Sequence, residues 1–163
     1  MNKIINVGKA EKISKQLQKQ NKVVVVSGGC FDILHIGHIK FLEKAKKEGD
    51  FLFILLESDS TVKKLKGNNR PINNQKDRAS ILSAISYVDF VVLLSEMKTN
   101  ADYDNLITKI HPNIIATTKN DPQGVHNQRQ AKKINAKVSY VTDRIKNKST
   151  SRLAEIISKT FDR

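Results

Sequence analysis

The chain has 163 residues, with 29 lysines and arginines against 16 aspartates and glutamates, a formal net charge of +13 and one cysteine. That length can bury a single core without disulfides or a structural metal, and 39% apolar with 28% charged residues excludes a disordered or fibrous chain. Cys30 cannot close an internal disulfide, the opening MNKIINVGKAEKISK lacks the apolar centre of a signal peptide, and no run approaches the roughly eighteen apolar residues of a membrane span; one cytoplasmic domain over residues 1–163 is expected.

The basic excess suits nucleic acid, an anionic membrane surface or a small polyphosphate substrate. The lysines are scattered over helix surfaces, and with only 6% aromatics no stacking platform interleaves with them. Neither nucleic acid nor membrane is an expected partner.

In chain order, residues 9–20 carry Ile13 and Leu17 four apart on a polar background, which predicts a helix on the outside of the core. Residues 23–26, bounded by Lys22 and Ser27, read as a strand buried on both faces, ended by a tight turn at Gly28 and Gly29. Ile36, Ile39, Leu42 and Ala45 then predict a helix that stops near Gly49. A second strand is expected over 51–56, a short polar segment over 58–65, a loop over 66–72, a helix over 74–85 and a third strand over 90–94. Asn100 is expected to cap a helix that His111 and Pro112 end. Strands over 114–117 and 137–141 follow, with helices over 127–134 and 151–160. Short apolar strands alternating with amphipathic helices imply an α/β fold: a Rossmann-like, doubly wound sheet of about five parallel strands with helices on both faces. Ligands in such sheets bind beyond the carboxyl ends of the strands, where the strand order reverses.

The segment 27–38 has the parts of a phosphate cradle. Gly28 and Gly29 admit close backbone approach, the helix starting near Ile36 points its positive end at the same space, and His35 and His38 sit three apart at that helix start. The two imidazoles could be half of a zinc site, but no cysteine or acidic cluster completes one, so no protein metal site is expected.

The run GGCFDILHIGHIKFL resembles the GxFDxxHxGH signature of the cytidylyltransferase-like nucleotidyltransferases, and RIKNKSTS at 144–151 resembles a second signature of that family. The similarity is strongest to the bacterial heptose 1-phosphate adenylyltransferases of lipopolysaccharide biosynthesis, through SDSTVKKLKGNNRPIN at 58–73 and the spaced residues of 77–89. It implies a Rossmann-like enzyme that transfers a nucleoside monophosphate, with ATP favoured, to a sugar phosphate, with heptose 1-phosphate favoured, releasing pyrophosphate with Mg²⁺. Glycerol-3-phosphate cytidylyltransferases share the first and last signatures, so a CTP enzyme is the alternative; a nucleotide-binding protein without turnover is a third. Relatives often form dimers, so a homodimer is a further expectation.

On that resemblance His35 and His38 bind the triphosphate and stabilise the charge of departing pyrophosphate. Gly28, Gly29, Cys30, Phe31 and Asp32 line the nucleotide, with Asp32 supporting the loop or a magnesium ion. Lys66 reaches phosphates, Arg78 positions the anionic acceptor, and Asp59 contacts a sugar hydroxyl or caps the helix after it. Arg144 with Ser149, Thr150 and Ser151 holds the outer phosphates. One departure concerns the nucleotide-binding loop after the fourth strand. The heptose enzymes usually read KGGDY where this chain has Thr117, Thr118, Lys119, Asn120 and Asp121, a change that implies either a reshaped base pocket or a loop that has drifted in a weakened enzyme. Cys30 itself is read as a small packed residue, not a nucleophile.

Overall fold

In the computed structural model, which describes residues 2–143, successive residues of each central strand face two separate cores. The elements are β1 (Ile4–Asn6), α1 (Val7–Lys19), β2 (Val24–Gly29), α2 (Ile36–Lys46), β3 (Phe51–Leu56), α3 (Asp59–Lys66), α4 (Gln75–Ser83), β4 (Phe90–Leu93), α5 (Asn100–Ile110), β5 (Ile114–Lys119), α6 (Gly124–Ile134) and β6 (Lys137–Asp143). Val24, Val26, Phe53, Leu55 and Val92 pack on one face with Ala10 of α1, Leu106, Ile107 and Ile110 of α5, and Ala131 and Ile134 of α6. Val25, Leu52, Ile54, Leu56 and Val91 pack on the other with Phe41, Leu42 and Ala45 of α2 and Ala79 and Leu82 of α4. A strand with both faces covered has no polar positions to alternate, which is why these strands are continuous apolar runs.

The sheet has six strands in the order β1-β4-β3-β2-β5-β6, and every pairing is parallel. This is one strand more than the sequence suggests. β1 is three residues long, too short to show a period, and is recruited to the edge by pairing Ile4 to Val91 and Asn6 to Leu93. The strand order reverses between β2 and β5, whose pairing is confined to Val25–Ile114 and Val26–Ile115. Beyond that point Ser27 to Gly29 pair with β3, and Ala116 to Lys119 pair with β6. The two central strands therefore part company at their carboxyl ends, opening the crevice of a doubly wound sheet. Among the described residues no helix is long and apolar enough to cross a membrane.

Several local expectations are corrected. Gly28 and Gly29 do not turn the chain; they extend β2, paired with Leu55 and Leu56. Gly29 is required by packing, because a Cβ there would lie 2.8 Å from the Phe31 ring. Gly49 does not form a left-handed cap either: a Cβ would meet Val23 and Val25 side chains at 2.7 Å, so the residue lets the chain after α2 pass close to β2. Ile36 is 49% exposed, and α2 instead buries Phe41, Leu42 and Ala45. Thr99 caps α5 in place of Asn100, accepting the Asp102 N–H while Asp102 accepts the Thr99 N–H. The helix expected over 151–160 lies outside the described residues.

Candidate functional site

The chain reverses after β2 at Phe31, whose φ of +45° lies in the left-handed region that bulky residues seldom adopt. Asp32 fixes this turn. Its carboxylate, 2% exposed, accepts Arg70 Nε at 2.5 Å and the backbone N–H groups of Ile72 and Asn73 at 2.9 Å. Asn73 Nδ2 also donates to the Asp32 carbonyl at 3.0 Å. Burial alone would raise this carboxyl, but the Asn73 and Ile72 amides and the Arg70 guanidinium outweigh it and hold it below the usual aspartate range. Asp32 thus ties the histidine loop to the segment after α3. Both its oxygens are engaged, so it supports the loop's shape and is not placed to hold magnesium.

His35 and His38 begin α2 as a reciprocal pair. His35 Nδ1 accepts the Gly37 N–H at 3.1 Å, and His38 Nδ1 accepts the His35 N–H at 3.3 Å. The His35 and His38 ring centroids are 3.9 Å apart, and the Phe31 ring centroid lies 5.3 Å from that of His38. Because each Nδ1 accepts, a neutral ring carries its proton on Nε2. The backbone of the helix start thereby selects the Nε2–H tautomer of both imidazoles.

Burial, reinforced by the neighbouring His35, lowers His38 from 6.5 to about 4, so His38 acts near neutral pH as a dipolar donor and not as a cation. In the free protein its imidazole is expected to titrate near pH 4, followed by NMR of the ring protons; a midpoint near 6.5 would contradict this environment. The sign for stability follows. An unfolded histidine takes up its proton at about 6.5, and the folded one only near 4, so stability falls as pH drops through that window.

Arg78 is the main correction to the expected roles. Expected to touch substrate, it is 0% exposed and its guanidinium is committed to protein acceptors. It donates to the carbonyls of Asn73 at 3.0 Å, Cys30 at 2.5 Å and Glu57 at 2.8 Å, and to Asp59 Oδ1 at 2.7 Å. It joins the ends of β2 and β3 to the loop before α4. Asp59 is correspondingly a partner of Arg78, while Ser58 is the residue that caps α3. Lys66 is exposed at the end of α3, ahead of Gly67, whose φ of +101° only glycine adopts without strain. Burial raises the Cys30 thiol and the positive charge of Lys66 partly offsets that, which keeps Cys30 protonated beside the loop.

Four participants were not singled out from the sequence: Arg70, Asn73, Glu57 and Tyr103. Arg70 and Asn73 stand inside the LKGNNRPIN run, but their partner, Asp32, is distant in the chain. Glu57 was legible as an acid directly after an apolar strand. It is 7% exposed, and its Oε1 accepts the Tyr103 hydroxyl at 3.0 Å. Burial raises its carboxyl, opposed by the Tyr103 hydrogen bond and by Arg78.

Across the crevice, the loop after β5 is held by Asp121, which accepts from Thr117 Oγ1, from the Gln123 N–H at 2.9 Å and from Asn127 Nδ2 at 3.3 Å. Asn120 supplies the left-handed residue at φ +58°, a conformation that asparagine tolerates better than most side chains. Lys119 is turned toward Asp143, 3.4 Å away. The glycines expected here are thus replaced by a turn that Thr117, Asn120 and Asp121 build for themselves. Arg144, Ser149, Thr150 and Ser151 lie outside the described residues. Among those described, no group of three or more His, Cys, Asp or Glu could hold a metal ion.

Known proteins are similar to this chain in both sequence and fold. The bifunctional protein HldE of Aliarcobacter butzleri is 49% identical over 105 residues, which are 64% of this chain and 21% of that protein. HldE of Campylobacter concisus is 51% identical over 98 residues, 60% of this chain and 20% of that one. The chain therefore spans about a fifth of the length of these relatives. The crystal structure of the lipopolysaccharide core biosynthesis protein from Thermoplasma volcanium superposes with a TM-score of 0.60 at 28% identity, covering 76% of this chain and 97% of that one. Pantoate-β-alanine ligase from Francisella tularensis, at 20% identity and TM-score 0.60 over 99% of this chain and 79% of its own, shares the fold. The family model described as cytidylyltransferase-like matches residues 26–156, a span that begins inside β2 and takes in both loops flanking the crevice. This chain belongs to the cytidylyltransferase-like family.

Proposed function

We propose that this chain transfers a nucleoside monophosphate, from ATP in preference to CTP, to a sugar phosphate, with heptose 1-phosphate the favoured acceptor, and releases pyrophosphate. One observation carries the reading: two adjacent imidazoles at a helix start, each with Nδ1 accepting a backbone N–H, placed where the strand order reverses. The chemistry needs little else. A sugar phosphate is already an anion, so its oxygen attacks the α-phosphorus without a general base, forming one P–O bond as the bond to the β-phosphate oxygen breaks. The requirement is in-line placement and donors for the charge that develops on the leaving pyrophosphate. His35 and His38 supply Nε2–H donors, the positive end of the α2 dipole adds its field, and Lys66 brings a cation on a flexible stem.

Magnesium is the expected accompanying ion. No described cluster fits it and both Asp32 oxygens are engaged, so the ion would enter on the triphosphate oxygens, as is usual for a cation that keeps its own waters. A homodimer is a separate expectation that light scattering would test. The function is tested by measuring pyrophosphate release with ATP and CTP, each crossed with heptose 1-phosphate and glycerol 3-phosphate. Release with ATP and heptose 1-phosphate is expected. Nucleotide binding without release in any combination would overturn the reading in favour of a binding protein.

A further inference from the structure

We propose that Arg70 is a positioning residue for this reaction: by holding Asp32, it fixes the histidine loop against the turn that follows Lys66. The inference rests on the nucleotidyl-transfer reading above and deepens it.

The histidine loop depends on an unfavourable turn. Phe31 holds φ +45°, a conformation that bulky residues keep only where their surroundings over-determine it. Its ring is buried: it packs where a Cβ on Gly29 would stand, and its centroid lies 5.3 Å from that of His38, within the range of an aromatic pair. The placement of Phe31 therefore helps decide how well His38 is shielded. The restraint comes from the next residue, Asp32, whose buried carboxylate accepts Arg70 Nε at 2.5 Å together with the Ile72 and Asn73 amides. Amides leave the charge of a carboxylate in place; Arg70, itself buried, brings the opposite charge that makes its burial tolerable.

Arg70 is tied to the other loop through its backbone. Its N–H donates to the Gly67 carbonyl at 3.1 Å, and the Gly67 N–H donates to the Lys63 carbonyl at 2.9 Å, closing the end of α3 immediately after Lys66. Lys66 stands near enough to Cys30, the residue before Phe31, for its charge to act on that thiol. One residue thus carries both fixings: its side chain holds the loop that presents His35 and His38, and its main chain holds the turn beside Lys66. A transfer that needs no general base depends on how its donors are spaced. Displacing them by about 1 Å from a distance can cost roughly a hundredfold in rate.

The test compares the full chain as wild type, Arg70→Met, Asp32→Asn and the double variant, by pyrophosphate release with ATP and the acceptor that is used, by melting curve, and by NMR titration of His38 in the ligand-free protein. Arg70→Met is expected to lower kcat roughly ten- to a hundredfold while the KM values for ATP and acceptor change little. The His38 midpoint should rise from about 4, because a loosened Phe31 ring shields the imidazole less. The double variant should lose no more than the worse single one, as for two residues that act as a unit. A folded Arg70→Met protein with a lower thermal midpoint but wild-type kcat and His38 midpoint would show a purely structural pair and overturn the proposal. A KM that rises while kcat holds makes Arg70 a substrate contact and overturns it too, as do losses that multiply in the double variant. Arg70→Gln, which keeps a donor without the charge, decides the same readouts if the methionine variant fails to fold. A wild type that releases no pyrophosphate with any acceptor overturns the nucleotidyl-transfer reading and Arg70's part in it, whereas an unmoved His38 midpoint overturns the clasp alone.

Discussion

Replacing His38 with alanine is expected to slow pyrophosphate release by roughly a hundred- to a thousandfold, the usual loss when one preorganised donor to developing charge is removed, about 2.7–4 kcal/mol. The effect should fall on kcat more than on the KM for ATP, since the donor is needed most as the bridging oxygen acquires charge. His38 also accepts the His35 N–H in the reciprocal cap of α2. Loss of a cap costs about 1 kcal/mol of stability, so the variant should remain folded, with only a modest drop in thermal midpoint. Measuring single-turnover rates alongside the melting curve separates the two effects. Turnover close to wild type in a folded His38→Ala protein would remove the central claim about this loop.

Arg78→Leu is expected to destabilise the protein by about 3–5 kcal/mol, the cost of breaking a buried charged pair and stranding its partners. For a chain of this size that corresponds to a fall in thermal midpoint of roughly 6–20 °C. The reason is the guanidinium's position: wholly buried, it closes the carbonyls of Cys30, Glu57 and Asn73 against one another and pairs with Asp59. Arg78→Lys should rescue little, because an ammonium cannot reach acceptors arranged around a planar fork. The experiment also distinguishes this role from substrate contact. A residue that gripped the acceptor would raise its KM and leave the melting curve in place; a residue that holds the loops together moves the melting curve first.

Two features of the site were legible along the chain. The histidine pair and the apolar run before it stand within one short stretch, and their spacing reports local geometry directly. The parallel α/β class was equally legible, because strands covered on both faces must be apolar throughout. Other roles were misplaced for a common reason. Arg78 sits in a segment that resembles substrate-binding sequence, but burial decides whether a guanidinium meets ligand or protein, and burial depends on which loops close over it. Gly28 and Gly29 were read as a turn and Gly49 as a helix cap because glycine permits positive φ; the Phe31 ring at Gly29, and Val23 and Val25 at Gly49, are what demand the missing Cβ. The loop after β5 looked deficient without its glycines, yet Asn120 supplies the left-handed turn and Asp121 the bracing.

By itself the sequence determined the alternation of central strands and helices, the sheet class and the paired imidazoles at a helix start, consequences of periodicity and of contacts within a few residues, and its motifs carried the family resemblance. Tertiary structure alone decided that β2 and β5 part at the crevice, that Asp32 clasps Arg70 and the 72–73 amides, that Arg78 faces inward, and that Glu57 retains one unpaired oxygen. The contacts of Asp32 with Arg70, of Arg78 with Cys30 and Asp59, and of Glu57 with Tyr103 join residues separated by 19 to 48 positions. Hydrogen bonding and burial at that range are set by the packed sheet, and no local pattern encodes them.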